Sequence, residues 1–386
     1  MRVLHLVSDF SNTSETFIYD LIVDLEAMGL DNHVVTNRRV NQASRPFGKV
    51  TSFEIDARGL LEKVVKRFRR KVISDYRIFD QKKLEEVVER IHPDVLHCHF
   101  NYFFENVDAL IRSGFKGRVV ISTHGIDVVN SDLYRQRGYI DKVFRAQRHD
   151  SIIFTTPSSY LKGKLSEIYG IEGDRIRVLP NSANISMASF AEKSMNDDGR
   201  IVLVNVGRFV GFKGQCHLIE ALERLHRQGY SGARLKLIGF GPLEKALREQ
   251  AAALGVERAV EFHVDLSRER IFEELSKSDI YLQPSVRDEH TGQEESFGIA
   301  VLEALSVGLP VIVTDSGGLA DTIRSAPYWP MTQIVQAKNS EALSRAVIDI
   351  VKSSRPPLKK AQIDELLSHF SVDRNRQTVL EIYRGA

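Results

Sequence analysis

Short runs of β-branched and apolar residues alternate along the chain with stretches whose apolar positions recur every three or four residues. In the first half the runs are RVLHLVS (2–8), HVVT (33–36), DVLHCHF (94–100), RVVISTH (118–124), SIIFTT (151–156) and IRVLP (176–180). In the second half they are IVLVNVG (201–207), LKLIG (235–239), VEFHV (260–264), IYLQPS (280–285) and VIVTD (311–315). Most are apolar at successive positions, the signature of strands covered on both faces in a parallel sheet. Helical periods lie between them, as in ETFIYDLIVDLEAMG and HLIEALERLHRQG, the second closing on Gly229 as a left-handed cap. Alternation of this kind predicts a doubly wound α/β architecture.

The series restarts near residue 200. AEKSMNDDGR (191–200) is polar and without period, and reads as a linker. The expected organisation is a Rossmann-like domain over 1–190, the linker, a second Rossmann-like domain over 201–365, and a terminal helix over 366–386 that packs back on the first domain. In open sheets of this type, ligands bind beyond the carboxyl ends of the strands. Residues with unusual chemistry should therefore follow strands.

Composition narrows the classes. A chain of 386 residues exceeds one ordinary core. A net charge of +2 gives no general pull toward nucleic acid. The two cysteines, Cys98 and Cys216, are far apart in the sequence and build neither a disulfide framework nor a zinc site, which fits a reducing cytoplasm. MRVLHLVSDF turns polar too soon for a signal peptide, and no apolar run has the ~20 residues that span a bilayer.

VNVGRFVGFKG (204–214) is a strand, then Gly207-Arg208, then Lys213-Gly214 before a helix. Two cations at a helix start suit a diphosphate, although the same pattern serves as an ordinary solvated surface. QEESFGIAVLEALSVGLPVIVTD (293–315) places Glu295 in a loop and Glu303 eight positions on, inside an apolar helix. One reading of Glu303 is an acid near the helix start that complements the dipole; against it, the neighbours are apolar, so the carboxylate needs a partner. Two carboxylates about two turns apart can each accept two hydrogen bonds from a vicinal diol, one on a hexose and one on a ribose.

These two segments together resemble the retaining family-4 glycosyltransferases of the GT-B fold, in which two Rossmann-like domains face each other across a cleft. The resemblance extends in order through SETFI (14–18), HCHF (97–100), STHGIDV (122–128), VLPNSANI (178–185) and LIGFGPLE (237–244) to the last helix. It implies that Arg208 and Lys213 bind the donor diphosphate, Glu295 the hydroxyls of the donor sugar, and Glu303 the ribose. It places Gly207 and the backbone of Phe297, Gly298 and Ile299 beside sugar and phosphates, and Val264 beside the base. His124 corresponds to a histidine near the reacting centre, with Asp127 close by; the competing reading is a hydrogen-bonded structural histidine. Ser14, Glu15 and Asn181 fall on the acceptor side. The implied partners are a nucleoside-diphosphate sugar, with a UDP-sugar favoured over GDP-mannose, and a glycan or polyprenyl-linked acceptor. No cofactor and no metal are expected: His97 and His99 alternate on one strand face, but no further ligand is apparent in the sequence. Two departures stand out. Ser11, Asn12 and Thr13 replace the usual glycines after the first strand, which turns that loop toward the acceptor, and Asn181-Ser182 replaces an Asn-Gly.

The segment 60–79 sets Leu61, Val64, Val65, Phe68, Val72, Tyr76 and Phe79 in one helical stripe, with Lys63, Lys66, Arg67, Arg70 and Lys71 mainly on the other faces. It reads equally as core packing and as an anchor to an anionic membrane surface. The expected location is cytoplasmic, with the second reading placing the chain on the inner membrane face. Two rivals share the donor motifs: a nucleotide-sugar epimerase or hydrolase, and a non-catalytic nucleotide-sugar binder.

Overall fold

The computed structural model describes residues 1–12, 15–53, 78–129, 143, 149–182, 185, 188–192, 200–324, 332–353 and 359–385. Ser14, residues 60–77 of the basic segment and residues 193–199 of the expected linker lie outside them. The chain divides into two compact units, Met1–Pro180 with Asn375–Ala386, and Asn181–Arg374.

Unit one holds a seven-stranded sheet: β1 (Arg2–Phe10), β2 (Asp31–Arg39), β3 (Val50–Ser52), β4 (Val95–His99), β5 (Arg118–Ser122), β6 (Ile152–Thr156) and β7 (Ile176–Val178). The order is β3-β2-β1-β4-β5-β6-β7 and every pairing is parallel. Unit two holds β8 (Val202–Val206), β9 (Arg234–Ile238), β10 (Val260–His263), β11 (Ile280–Gln283), β12 (Val311–Thr314) and β13 (Thr332–Val335), in the order β10-β9-β8-β11-β12-β13, again parallel. The strand order of each sheet reverses beside its first strand, between β1 and β4 and between β8 and β11. A crevice opens at such a reversal.

The apolar runs become strands because both faces are covered. Val3, Leu4, Leu6 and Val7 on β1 are all buried, as are Val311, Ile312 and Val313 on β12. The helices bury one stripe each. Gln81–Ile91 buries Leu84, Val87 and Ile91; it starts on Asp80, whose carboxylate accepts from Lys83 N at 3.0 Å. Ser340–Val351 starts in the same way on Asn339 and buries Leu343, Val347 and Ile350. The terminal helix Val372–Arg384 lays Val379, Ile382 and Tyr383 on Val3, Val95 and Val120 of the first sheet. Burying Val379 and Ile382 there is worth roughly 1.5–3 kcal/mol each. Among the described residues no helix is long and apolar enough to cross a membrane.

Candidate active site

In unit two the crevice between β8 and β11 gathers the predicted donor residues. The chain leaves β8 through Gly207 and Arg208, makes a short turn over Gly211–Lys213, and enters the helix Gln215–Arg227 at Gly214. Gly214 has φ +67°, and a Cβ there would lie 2.1 Å from the Pro284 carbonyl oxygen at the end of β11. Only glycine allows that approach, and the approach brings Lys213 to Glu295. Lys213 Nζ donates to Glu295 Oε2 at 2.5 Å. The same oxygen accepts from Gln283 Nε2 at 3.2 Å and Ser285 Oγ at 3.3 Å. Glu295 Oε1 accepts from no side chain among the described residues.

The Glu295 main chain is fixed as well. Its carbonyl accepts from Gly318 N at 2.8 Å. A Cβ on Gly317, whose φ is +59°, would stand 2.0 Å from that carbonyl oxygen. Glu295 is therefore buried, paired and immobilised, as a charged group removed from water requires. Arg208 is exposed; its carbonyl accepts from Gln215 Nε2 at 3.0 Å, and its guanidinium pairs with no carboxylate among the described residues. Gly207 donates to the Ile238 carbonyl at 2.9 Å and lies beside the Lys213 side chain.

The helix Ile299–Ser306 follows, with Gly298 at its N-cap. Phe297 is buried edge-on to Phe370, and its carbonyl accepts from Thr322 Oγ1 at 2.5 Å. Ile299 is half-buried at the first helical position. Glu303 is the fifth residue of that helix, between buried Val301, Leu302, Ala304 and Leu305. The protein supplies the partner that the sequence left unidentified. Arg268 Nη2 donates to Glu303 Oε1 at 3.2 Å. Burial pushes the Glu303 carboxyl above the ordinary glutamate range, and Arg268 opposes the shift. Beneath both carboxylates, the Tyr281 phenol is driven well above its usual value by burial and then by Glu303 and Glu295. Val264, just past β10, is 41 % exposed.

Unit one gathers different groups at the carboxyl ends of β1, β4 and β5. His124 follows β5, with its main-chain N–H donating to Asp127 Oδ1 at 3.0 Å. Gly125 N also donates to Oδ1 at 3.0 Å, and Asn101 N to Oδ2 at 2.8 Å. Burial raises the Asp127 carboxyl against these three bonds. The His124 ring lies 4.7 Å from Phe17 and 5.0 Å from Phe100, centre to centre, and nearly parallel to His99 at 6.4 Å. Burial lowers its pKa to about 3, so the imidazole is neutral. A neutral imidazole in an apolar setting suits hydrogen bonding to a hydroxyl. Ser11 adopts φ +71°, a conformation that favours the glycine it replaces. Glu15 occupies the N-cap position of the helix Thr16–Ala27, and Asn181 opens unit two.

Below His124 lies a cluster that the sequence revealed only in part. His5 of β1 pairs in register with His97, and the nitrogens of His5, His97 and His99 lie within 4.8 Å of one another. Each ring is hydrogen-bonded. Asn32 Nδ2 donates to Glu26 Oε2 at 3.1 Å and to the Leu30 carbonyl, so Asn32 Oδ1 is left to accept from His5 Nε2 at 3.1 Å. Burial lowers the His5 pKa to about 4, so the ring is neutral and its Nδ1 accepts from His99 Nε2 at 3.1 Å. His97 bonds Tyr383 OH at 2.6 Å and Ser122 Oγ at 2.7 Å. The alternation of His97 and His99 was visible in the sequence. The third ring was not, because it comes from another strand.

Comparison with known proteins bears on the family and the fold. The model for "Glycosyltransferase Family 4" matches residues 14–186, and that for "Glycosyl transferases group 1" matches residues 187–365. A GDP-mannose-dependent phosphatidylinositol monomannoside mannosyltransferase of Mycolicibacterium smegmatis is 28 % identical over 276 residues, 68 % of each chain. A putative colanic acid biosynthesis glycosyltransferase of Salmonella typhimurium, WcaL, is 22 % identical over 408 residues, covering 98 % of this chain and 97 % of that one. Among solved structures, the lipopolysaccharide outer core galactosyltransferase WaaB superposes with a TM-score of 0.75 at 16 % identity over the full length of both chains. Anabaena HepE in complex with UDP and glucose superposes with a TM-score of 0.72, also at 16 % identity and full length. Both structures share the fold. The motifs, the two parallel sheets and the two family models converge: the chain is a glycosyltransferase of the GT-B fold and belongs to the family-4, group 1 glycosyltransferases.

Proposed function

We propose that this glycosyltransferase transfers a hexose-type sugar from a nucleoside-diphosphate donor to an acceptor hydroxyl, with retention of anomeric configuration, in polysaccharide or glycan assembly. A UDP-sugar is favoured as donor and GDP-mannose is the second candidate. The observation that carries the reading is the Lys213–Glu295 pair: a cation at a helix start, bonded to one oxygen of a buried carboxylate whose other oxygen is open. Lys213 and Arg208 stabilise the departing diphosphate together with the positive end of the helix Ile299–Ser306. Glu295 Oε1 accepts from the hydroxyls of the donor sugar. Glu303 accepts from the ribose, and Val264 borders the base.

His124 orients a hydroxyl by hydrogen bonding and, at a pKa of about 3, is a weak general base. Among the described residues no side chain stands out as a nucleophile. Front-face transfer, with the departing phosphate receiving the proton of the acceptor hydroxyl, therefore fits the site best. Ser14, Glu15 and Asn181 belong to the acceptor side of this reading. The test is a panel of UDP- and GDP-sugars assayed for nucleoside-diphosphate release with and without glycan acceptors, followed by NMR of the new glycosidic bond. Acceptor-dependent release with a retained anomeric centre supports the proposal. An epimerised sugar nucleotide, or release indifferent to every acceptor, contradicts it.

A further inference from the structure

We propose that Arg268 is a positioning residue for the donor nucleotide: it holds one oxygen of Glu303 so that the other is presented to the ribose hydroxyls. This rests on the donor-site reading above and adds to it a residue outside the E-x7-E run. Arg268 opens the helix Arg268–Ser276, which is capped by Ser267 and follows the Val264 loop. It reaches Glu303 from a different element, 35 positions away in sequence.

The contact is single. Nη2 meets Oε1 at 3.2 Å, and Oε2 accepts from no side chain among the described residues. An arginine beside a carboxylate commonly takes both oxygens in a fork. Here the single bond fixes the carboxylate and leaves one oxygen for a ligand. The same arrangement recurs at Glu295, where Lys213, Gln283 and Ser285 all meet Oε2. Each donor carboxylate is thus tethered at one oxygen and open at the other.

Two physical effects follow. A carboxylate already oriented loses less rotational freedom when it grips a diol. Arg268 also favours the ionised form of a group that burial drives toward protonation. Among the described residues, Arg268 is the charged group that bears on Glu303, and Glu303 in turn bears on the Tyr281 phenol of β11, as Glu295 does. Without Arg268 the Glu303 carboxyl rises further. Ribose binding then weakens on acidification at a higher pH than in the native protein.

The experiment is calorimetric titration with UDP and GDP, carrying forward whichever binds the native protein more tightly, together with its 2′,3′-dideoxy analogue. Native protein, Arg268→Gln, Arg268→Lys and Glu303→Gln are compared. The expected result is that Arg268→Gln binds the ribonucleotide about tenfold more weakly, in line with a charge-assisted hydrogen bond, and binds the dideoxy analogue as the native protein does. Arg268→Lys should be intermediate; if the glutamine variant does not fold, the lysine variant carries the comparison. Equal weakening of both ligands, or of neither, overturns the role of Arg268. If Glu303→Gln still discriminates ribose from dideoxyribose as the native protein does, the donor-site reading itself is overturned.

Discussion

At the carboxyl end of the first sheet the buried polar side chains, Asp127 apart, are neutral hydrogen-bonding groups. His5, His97, His99, Ser122 and Thr155 hydrogen-bond within the sheet layer, and burial holds His5 and His124 far below the ordinary histidine range. At the same end of the second sheet they are ionic. Glu295 meets Lys213 and Glu303 meets Arg268. The two sheets share one strand order around the reversal, so topology does not dictate the difference. The residues that follow each strand do. A neutral, hydrogen-bonding end suits a sugar hydroxyl, and an end with fixed cations and carboxylates suits a sugar diphosphate.

The largest effect should come from breaking the ionic end. Glu295→Ala and Lys213→Ala are each expected to lower turnover on the order of 10²-fold, about 3 kcal/mol of transition-state stabilisation. The assay is nucleoside-diphosphate release at saturating donor. A near-normal kcat in Glu295→Ala would show that the sugar site lies elsewhere.

The neutral end should respond to acid. The folded pKa of His5, about 4, lies below the ordinary 6.5, so the unfolded chain takes up its proton first. The stability contributed by keeping this ring neutral is complete above pH 6.5. It declines as pH falls toward 4, by about 2 kcal/mol between pH 7 and pH 5 for this residue alone. Urea unfolding at the two pH values measures it. Equal stability at both would mean that His5 is not held neutral.

Glu303→Ala tests the other half of the ionic end and should act on affinity, raising the donor KM by about tenfold with a smaller change in kcat, because the ribose is distant from the breaking bond. Steady-state kinetics separate the two parameters, and an effect confined to kcat would reassign the residue. The smallest effect concerns metal. The imidazole nitrogens that join His5 to His99, and both nitrogens of His97, are already engaged in hydrogen bonds. Activity should therefore persist in chelator. Its loss, with recovery on adding magnesium or manganese, would contradict this expectation.

The sequence showed the architecture wherever strands were buried on both faces, because continuous apolar runs admit few other readings. It missed β3 and β13, each at a sheet edge. Val50–Ser52 has three residues, and Thr332–Val335 mixes Thr and Gln with two aliphatics, so neither is long or apolar enough to form a run. The candidate site stood in the sequence only as residue types at spacings: two carboxylates eight apart and two cations after a strand. The partnerships were not legible there. Lys213 meets Glu295 across 82 positions because Gly214 packs against Pro284, and Arg268 meets Glu303 across 35. His5 joins His97 through strand register. Contacts of this kind depend on how strands and loops assemble, which local pattern does not encode. At Glu303 the apolar neighbours indicated the need for a partner, and the first partner is an arginine of the protein.

The most direct test of the central claim is the affinity of the protein for a nucleoside diphosphate, measured by titration calorimetry with UDP and GDP on the native chain and on the Arg208→Ala, Lys213→Ala double variant. The native protein is expected to bind at least one of the two, and the double variant to lose on the order of 10²-fold in affinity, as two charge-assisted phosphate contacts would give. Unchanged affinity in a folded double variant would contradict that claim.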